Sequence, residues 1–161
     1  MPAELKLRPV QSTDYAPIIA VLDDWWGGRA MAAMLPKLFF NHFQESSLIV
    51  EADGLRVGFL IGFHSPRYTD ESYIHFVGVH PAWRKSGVGR LLYEEFFKLV
   101  LAAGRHTVRC VTSPLNRTSI QFHLRMGFVI EPGDSERDGI SYHQDYDGPA
   151  EDRVLFVKRL D

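Results

Sequence analysis

The sequence predicts an α/β fold of the α+β kind, with a mixed sheet of about seven strands flanked by about four helices. Three observations support this. β-Rich runs follow one another in the first half, strands and helices alternate in the second half, and one long segment has a clear helical period. Alternating strands and helices indicate a sheet covered by helices. The 161 residues, 45% of them hydrophobic, suit a single domain spanning 1–161.

The chain is expected to begin with a strand followed by two helical stretches. Leu5–Val10 has β character, and Asp14 is placed to cap a helix that extends to about Asp24. Pro17 fits that helix because proline is tolerated in the first turn. Arg29–Phe43 is interpreted as a second helical stretch, bent or split at Pro36.

Three strands are expected next, in an antiparallel meander. Ser47–Ala52 and Arg56–His64 are rich in β-branched and aromatic residues, and Asp53-Gly54 between them is a strong hairpin signal. Tyr73–His80 is the third strand and is ended by Pro81.

The second half alternates helices with strands. The apolar residues of Val88–Ala103 fall on one helical stripe, and Gly104 can cap the end of that helix. The remaining predicted elements are a strand at Thr107–Thr112, a helix at Asn116–Met126, a strand at Phe128–Glu131, a loop at Asp134–Asp152 and a final strand at Arg153–Leu160.

Composition narrows the classes of function. A net charge of −2 gives no general reason to bind nucleic acid, so any anion site must be local. The N-terminal residues have no apolar stretch of signal-peptide length, and no run is long enough for a membrane span, so a cytoplasmic protein without membrane contact is expected. The single cysteine, Cys110, excludes an internal disulfide and a cysteine-based metal site, and no metal is expected.

The stretch "HPAWRKSGVGRLLYEEF" (80–96) predicts an anion site at the start of a helix. Backbone N–H groups there lack intrahelical partners, and Gly87 and Gly89 let a phosphate approach them. The loop does not match the Walker pattern and has two of the three glycines of the Rossmann pattern. An ordinary glycine-rich helix start is the alternative. Nearby positive charges are Arg84, Lys85 and Arg90.

Two motifs in register give this loop a wider context. "VGVHPAWRKSGVGRLLYEEF" and, some twenty residues later, "NRTSIQFHLRMGF" resemble signature segments of the GNAT superfamily of acyl-CoA-dependent N-acyltransferases. The resemblance implies a GNAT fold splayed between the fourth and fifth strands. It also implies acetyl-CoA as co-substrate, direct attack of a primary amine on the thioester, and no metal.

The resemblance also implies which residues bind coenzyme A. The loop would hold the pyrophosphate, the edge of the strand before it would pair with the pantetheine arm, and the second motif would line the arm. Gly78 suggests a bulge or a close ligand approach, with tight packing as the alternative. The implied residues are Val77, Gly78, Val79, Arg84, Lys85, Ser86, Gly87, Val88, Gly89, Arg90, Asn116 and Ser119.

Two histidines are the catalytic candidates. His123 stands where the family often has a tyrosine that protonates the CoA thiolate, and a histidine can donate a proton near neutral pH. "YIHFVGVH" is similar to a family strand with two catalytic histidines, at the positions of Tyr73 and His75, which makes His75 the leading base. Packing roles are the alternative for both histidines.

Strand alternation predicts that His75 shares a face with Tyr73, Val77 and Val79. Second choices for the base are His64, Asp70 and Glu71.

The acceptor is expected to be a small cationic amine, with a peptide amine also open. Asp134–Asp152 carries seven acidic residues against one arginine, Arg137, and an acidic rim attracts cations. A solvated loop is the alternative. A non-catalytic acyl-CoA-binding module and a homodimer also remain open. Candidate wall residues for the acceptor pocket are Trp25, Trp26, Tyr68, Tyr73 and Tyr142.

Overall fold

A computed structural model describes residues 4–161 and contains a mixed sheet with helices on both faces. Within these residues the main sheet has seven strands in the order β1-β2-β3-β4-β5-β9-β6. All neighbours are antiparallel except β4 and β5, which are parallel. The strands of this sheet are β1 (Leu5–Pro9), β2 (Leu48–Ala52), β3 (Leu55–His64), β4 (Glu71–Val79), β5 (Thr107–Thr112), β6 (Val129–Ile130) and β9 (Val154–Arg159). The predicted fold class is confirmed.

Four helices cover the sheet in the described residues. They are α1 (Tyr15–Trp25), α2 (Leu38–His42), α3 (Val88–Ala102) and α4 (Arg117–Arg125). One core lies on the α3 side of the sheet and a second lies on the α1 side. The predicted stripe of α3 is buried, with Val88, Leu92, Phe96 and Val100 each at 0% exposure. Burial of these side chains fixes α3, and therefore the glycine loop before it, against the sheet.

Asp14 stands at the N-cap position of α1, as predicted, but its side chain makes ion pairs instead of a cap. It accepts hydrogen bonds from Arg8 and Arg56, each with an N–O distance of 2.8 Å. Burial works to raise the pKa of Asp14, but the hydrogen bonds from Arg8, Gln11 and Arg56 outweigh it and lower the pKa to about 2. The buried carboxylate therefore joins β1 and β3 to the start of α1.

The second helical stretch predicted for Arg29–Phe43 is wrong in its first half. That half contains only a 3₁₀ turn at Ala32–Met34, and α2 is five residues long. The Asp23 carboxylate accepts the backbone N–H groups of Met31 and Ala32, at 2.8 and 3.2 Å, so these groups are withdrawn from a helical ladder. Pro36 then limits how far a helix can extend back toward them.

The loop predicted for Asp134–Asp152 contains a hairpin. Its strands are β7 (Ser135–Arg137) and β8 (Ile140–Tyr142). Asp138 and Gly139 form the turn, with φ of 52° and 80°. Positive φ at both turn residues matches the twist of a two-residue hairpin, so the Asp-Gly pair explains why this segment is ordered as strands.

Candidate active site

The parallel strands β4 and β5 separate soon after they begin. Their register has three residue pairs, the last being Tyr73 with Arg109. Beyond this point a cavity of about 680 Å³ opens between them. The predicted splay is therefore present, and the β4 edge from Ile74 to Val79 faces the gap. Residues on the β4 side include Tyr73, His75 and Val77, and those on the opposite side include Cys110, Asn116, Ser119 and His123.

A β-bulge places His75 next to the gap. Gly62 of β3 pairs with Ile74 and Ile61 pairs with Phe76, which leaves His75 as an extra residue on β4. Ile74 therefore packs in the α3-side core and Phe76 in the α1-side core. The predicted alternation across β4 is wrong at this point, because an extra residue shifts the later residues to the opposite face.

The bulge changes which β4 side chains share a face of the sheet. Tyr73 stacks on Phe63, and His75 stacks on Phe39 of α2 at 4.3 Å between ring centroids. Val77 and Val79 instead pack against the α3-side core. His75 therefore does not share a face with Val77 and Val79, and it lies between the sheet and α2.

The His75 ring has one nitrogen tied to the protein. Its Nε2 lies 2.6 Å from the backbone carbonyl oxygen of Met34, and because a carbonyl can only accept, Nε2 carries the proton and donates. In the neutral ring, Nδ1 is then the acceptor. Burial lowers the pKa of His75 below its ordinary value, against the opposing effect of the Met34 hydrogen bond. The neutral ring is the form that can take a proton.

The His123 ring has both nitrogens occupied. Nδ1 donates to the Ser119 carbonyl oxygen at 2.7 Å, and Nε2 lies 2.8 Å from the Tyr93 hydroxyl, which donates to it. The ring is 6% exposed and stacks on Phe156 at 4.6 Å between centroids. Burial lowers the pKa of His123, so the neutral ring is favoured. The geometry leaves neither nitrogen free to face a ligand, although the ring borders the cavity.

Tyr93 was not singled out from the sequence, and it borders the cavity beside His123. Its hydroxyl proton is committed to His123, and burial raises the pKa of the phenol, so it stays protonated. The pair joins α3 to α4 across 30 residues of sequence. No local pattern connects two such positions, and only the packing of the two helices reveals them.

The glycine loop forms an open turn at the start of α3. Gly87 takes the N-cap position with φ of 91°, and Lys85 has φ of 63°. The backbone N–H of Leu91 donates to the Gly87 carbonyl oxygen at 3.0 Å, which begins the hydrogen-bond ladder of α3. The N–H groups before Leu91 therefore point out of the helix start. A Cβ at Gly87 would have no neighbour within 4 Å. This open space suits an anion beside the backbone.

Charged side chains around the loop are only partly available. The Arg84 guanidinium donates to the Trp25 carbonyl, which ties the loop to the end of α1. Arg90 is exposed and 3.4 Å from Glu94. Lys85 and Ser86 are exposed at the same turn, and Val88 is buried under it. The backbone is therefore the main feature that the loop offers to a ligand, with Lys85 and Arg90 beside it.

Gly78 is explained by packing. A Cβ there would lie 2.4 Å from Phe59 Cε1 and 3.1 Å from Trp26 Cη2. Neither distance leaves room for a methyl group. The sequence left a bulge, a close ligand approach and tight packing open for Gly78; these contacts favour tight packing, and the bulge in β4 lies at His75.

The second motif forms the start of α4 on the opposite side of the gap. The Asn116 side chain accepts the backbone N–H of Ser119 at 3.1 Å and so caps the helix. Both residues border the cavity. A Cβ at Gly89, at the start of α3, would lie 3.6 Å from the Phe122 ring. The glycine loop and α4 are therefore neighbours.

The five candidate wall residues divide into two groups. Trp26 and Tyr73 border the cavity. Trp25 is 6% exposed in the α1-side core, Tyr68 is 58% exposed in the loop before β4, and Tyr142 packs on the α3-side core. Packing therefore accounts for Trp25, while Trp26 covers the cavity beside Gly78.

The second choices for the base, His64, Asp70 and Glu71, lie near the start of β4 and form hydrogen bonds or ion pairs there. His64 Nδ1 is 2.6 Å from the Ser72 hydroxyl. Asp70 pairs with His106 and Arg159, both at 2.9 Å, and Glu71 pairs with Arg109 at 2.9 Å. These contacts fix the paired end of β4 against β5 and β9.

Several carboxylates of the acidic segment are paired with Arg153, which directly follows it, or with backbone N–H groups of the segment. Arg153, whose side chain is 13% exposed, holds Asp147 at 2.8 Å and Glu151 at 3.1 Å. Asp152 accepts the backbone N–H of Asp145 at 2.8 Å. Asp147, Glu151, Asp152 and Arg153 all border the cavity. The segment is therefore an ordered wall whose negative charge is partly neutralised, rather than a freely solvated acidic loop.

Other groups have structural roles. Cys110 is buried, and burial raises the pKa of its thiol, so the protonated, unreactive form is favoured. Among residues 4–161, no cluster of three or more His, Cys, Asp or Glu side chains could hold a metal ion. In the same residues, no helix combines the length and apolar character needed to cross a membrane.

A family model described as the acetyltransferase (GNAT) family matches residues 15–128. The chain belongs to the GNAT family. The match includes β4, the glycine loop and α4, and it ends before the acidic segment that also borders the cavity.

Individual relatives extend this finding. The chain is 31% identical over 114 residues to L-2,4-diaminobutyric acid acetyltransferase of Nocardia farcinica, covering 71% of this chain and 59% of that protein. It therefore spans about three fifths of that GNAT relative.

Solved structures share the fold over nearly the whole chain. Ard1 from Thermoplasma volcanium superposes with a TM-score of 0.78, 20% identity and 98% coverage of both chains. Diaminobutyrate acetyltransferase from Paenibacillus lautus, solved with its substrate L-2,4-diaminobutyric acid and coenzyme A, gives a TM-score of 0.73 and 20% identity, with coverage of 97% and 95%. At these identities the likeness establishes the GNAT fold.

Proposed function

We propose that this protein is an acetyl-CoA-dependent N-acetyltransferase whose acceptor is a small molecule with a cationic primary amine. The observation that carries the proposal is the separation of β4 from β5 after three residue pairs. The separation leaves the edge of β4 free to pair with an extended amide-bearing chain. This edge runs from the glycine loop to His75. Membership of an acetyltransferase family supports the same function.

Acetyl-CoA would be held mainly by backbone groups. The N–H groups at the start of α3, around Gly87 and Gly89, would bind the pyrophosphate. The β4 edge at Val77–Val79 would pair with the pantetheine amides, and Asn116 and Ser119 would border the arm from α4. The open space at Gly87 supports this assignment.

His75 would act as the base. The acceptor ammonium first gives one proton to His75 Nδ1, directly or through water, which frees the lone pair of its nitrogen. The nitrogen then attacks the thioester carbonyl carbon, so that a C–N bond forms and the C–S bond breaks, and the second amine proton passes to the departing CoA thiolate, directly or through water. His75 releases the first proton to solvent, which restores the neutral ring. The Nε2 bond to Met34 fixes the tautomer this step needs.

His123 would support the site through Tyr93. Because both its ring nitrogens are occupied, we assign His123 to holding the Tyr93 hydroxyl at the cavity wall rather than to direct protonation of the thiolate. The direct acid role expected from the sequence would require one of these hydrogen bonds to break.

The cavity favours a small acceptor over a protein. Its volume of about 680 Å³ lies in the range typical of small-molecule sites, and Arg137 of the β7–β8 hairpin borders it. Asp147 adds negative charge that reaches His75, which suits an amine that arrives protonated.

The test is thiol release from acetyl-CoA over a panel of small amines. Because Cys110 is buried, a thiol reagent added to the folded protein should report CoA and little else. We expect saturable release that depends on the amine. Calorimetric binding of acetyl-CoA without release from any amine would contradict the proposal and favour an acyl-CoA-binding module.

A further inference from the structure

Three carboxylates and three arginines line the cavity, and only Arg153 among these arginines forms ion pairs within residues 4–161. On the acidic side, Asp147 and Glu151 share Arg153, and Asp152 is engaged by a backbone N–H group. The carboxylates of this wall are therefore already partly satisfied, and they supply less free negative charge than their number suggests.

Two further arginines, Arg29 and Arg137, border the cavity. Arg29 lies in the turn after α1, where its N–H bonds to the Trp26 carbonyl at 3.2 Å, and Arg137 ends β7. Among residues 4–161, neither side chain forms an ion pair, and both are exposed. The neighbouring Asp138 pairs with Arg117 instead, at 2.9 Å.

The position of these arginines separates them from the glycine loop. The cavity they border extends along β4 from Tyr73 to Val77, whereas the loop lies beyond the end of β4 at Gly87–Gly89. Arg29 and Arg137 also come from two different elements that border the cavity, the turn beside Trp26 and the β7–β8 hairpin. Their charge is therefore placed for the acceptor.

Guanidinium groups favour carboxylates because their paired N–H donors match both oxygens. We propose that the acceptor carries a carboxylate beside its amine, and that Arg29 and Arg137 bind this carboxylate while the amine faces His75 and Asp147. The site would thus select a zwitterionic amino acid over a plain amine. This inference rests on the proposed function.

The experiment compares two acceptors that differ only in the carboxylate. L-2,4-diaminobutyric acid, the substrate named for a relative, is matched with trimethylenediamine, the diamine left when its carboxyl group is removed. We expect kcat/KM from thiol release to be at least about tenfold higher for the amino acid. Equal values for the two acceptors would overturn the inference and leave the proposed function standing.

Variants assign the preference to the arginines. Arg29→Ala and Arg137→Ala should each move the ratio of the two kcat/KM values toward one, without raising KM for acetyl-CoA. Arg125→Ala, an exposed arginine at the end of α4, is the matched control and should keep the wild-type ratio. A rise in KM for acetyl-CoA would overturn the inference, because the arginines would then serve the phosphates of CoA.

A binding measurement separates this inference from the proposed function. Calorimetry measures the affinity of L-2,4-diaminobutyric acid for the protein saturated with CoA and needs no turnover. If no amine releases thiol but this affinity falls about tenfold in Arg29→Ala, the carboxylate site stands and the acetyltransferase function falls. If the amino acid neither binds nor reacts while another amine reacts, only the carboxylate site is overturned.

Discussion

The two walls of the cavity each contribute a histidine, and the two are held in opposite ways. On the β4 wall, a bulge and one hydrogen bond to Met34 leave Nδ1 of His75 as an acceptor. On the α4 wall, Ser119 and Tyr93 occupy both nitrogens of His123. Burial lowers the pKa of both rings. The lowered pKa is therefore common to both rings, and the hydrogen bonds are what distinguish them: the lone pair on His75 Nδ1 is the feature that supports the proposed base role.

The largest expected effect is a loss of kcat when His75 on the β4 wall is replaced. His75→Ala should lower kcat by about 100-fold or more, the usual contribution of a general base, with KM for acetyl-CoA nearly unchanged. Steady-state thiol release measures both constants. His42→Ala, an exposed histidine in α2, is the control and should match the wild type. A wild-type rate in His75→Ala would remove His75 as the base.

The next effect concerns stability at the α4 wall. His123→Ala removes a stacked ring and leaves the buried Tyr93 hydroxyl without its acceptor, so the free energy of unfolding should fall by about 3 kcal/mol. Urea denaturation of the variant and of His42→Ala gives the difference. Full stability combined with lost turnover would instead return His123 to a direct catalytic role.

A third test places a large side chain at Gly89, where the start of α3 lies beside β4 and α4. A side chain at Gly89 would enter the space beside Phe122 and Val79, so Gly89→Trp should weaken CoA binding by at least about tenfold. Calorimetry with CoA measures this. Lys98→Trp, on the exposed face of the same helix, serves as the control. Unchanged affinity would contradict the placement of the pyrophosphate.

The smallest effect is the pH dependence. Both rings have a pKa below that of an unfolded histidine, about 6.5, so the unfolded chain binds more protons and stability falls as pH drops below that value. His75→Gln and His123→Gln should each reduce this loss in denaturation measured across pH. Only His75→Gln should also remove the acidic limb of the kcat–pH profile. Loss of that limb in His123→Gln would contradict the assignment of the base to His75 alone.

Local patterns predicted the elements whose cause is local. The apolar stripe of α3, the Asp53-Gly54 hairpin and the cap at Asn116 could all be identified from nearby residues. The failure at Arg29–Phe43 depended on the Asp23 carboxylate, which captures backbone groups eight and nine residues away. A periodicity argument does not include such a contact.

The sequence indicated which segments border the cavity, but not the contacts that connect them. The two motifs indicated both walls, yet the face of His75 depended on a bulge that only strand pairing reveals. The Tyr93–His123 bond needed the packing of α3 on α4, and the pairing of Arg153 changed the charge expected of the acidic segment. The homodimer stays a prediction.

The extra residue in β4 separates two kinds of mutation. Replacing His75 changes the functional group at the gap but keeps the residue count, so the bulge can persist. Deleting His75 would let Ile74 and Phe76 pair in regular succession with Gly62 and Ile61, and β4 would lose the bend that a bulge imparts. Substitutions can therefore vary the chemistry of this position during evolution, whereas a one-residue deletion would threaten the gap itself.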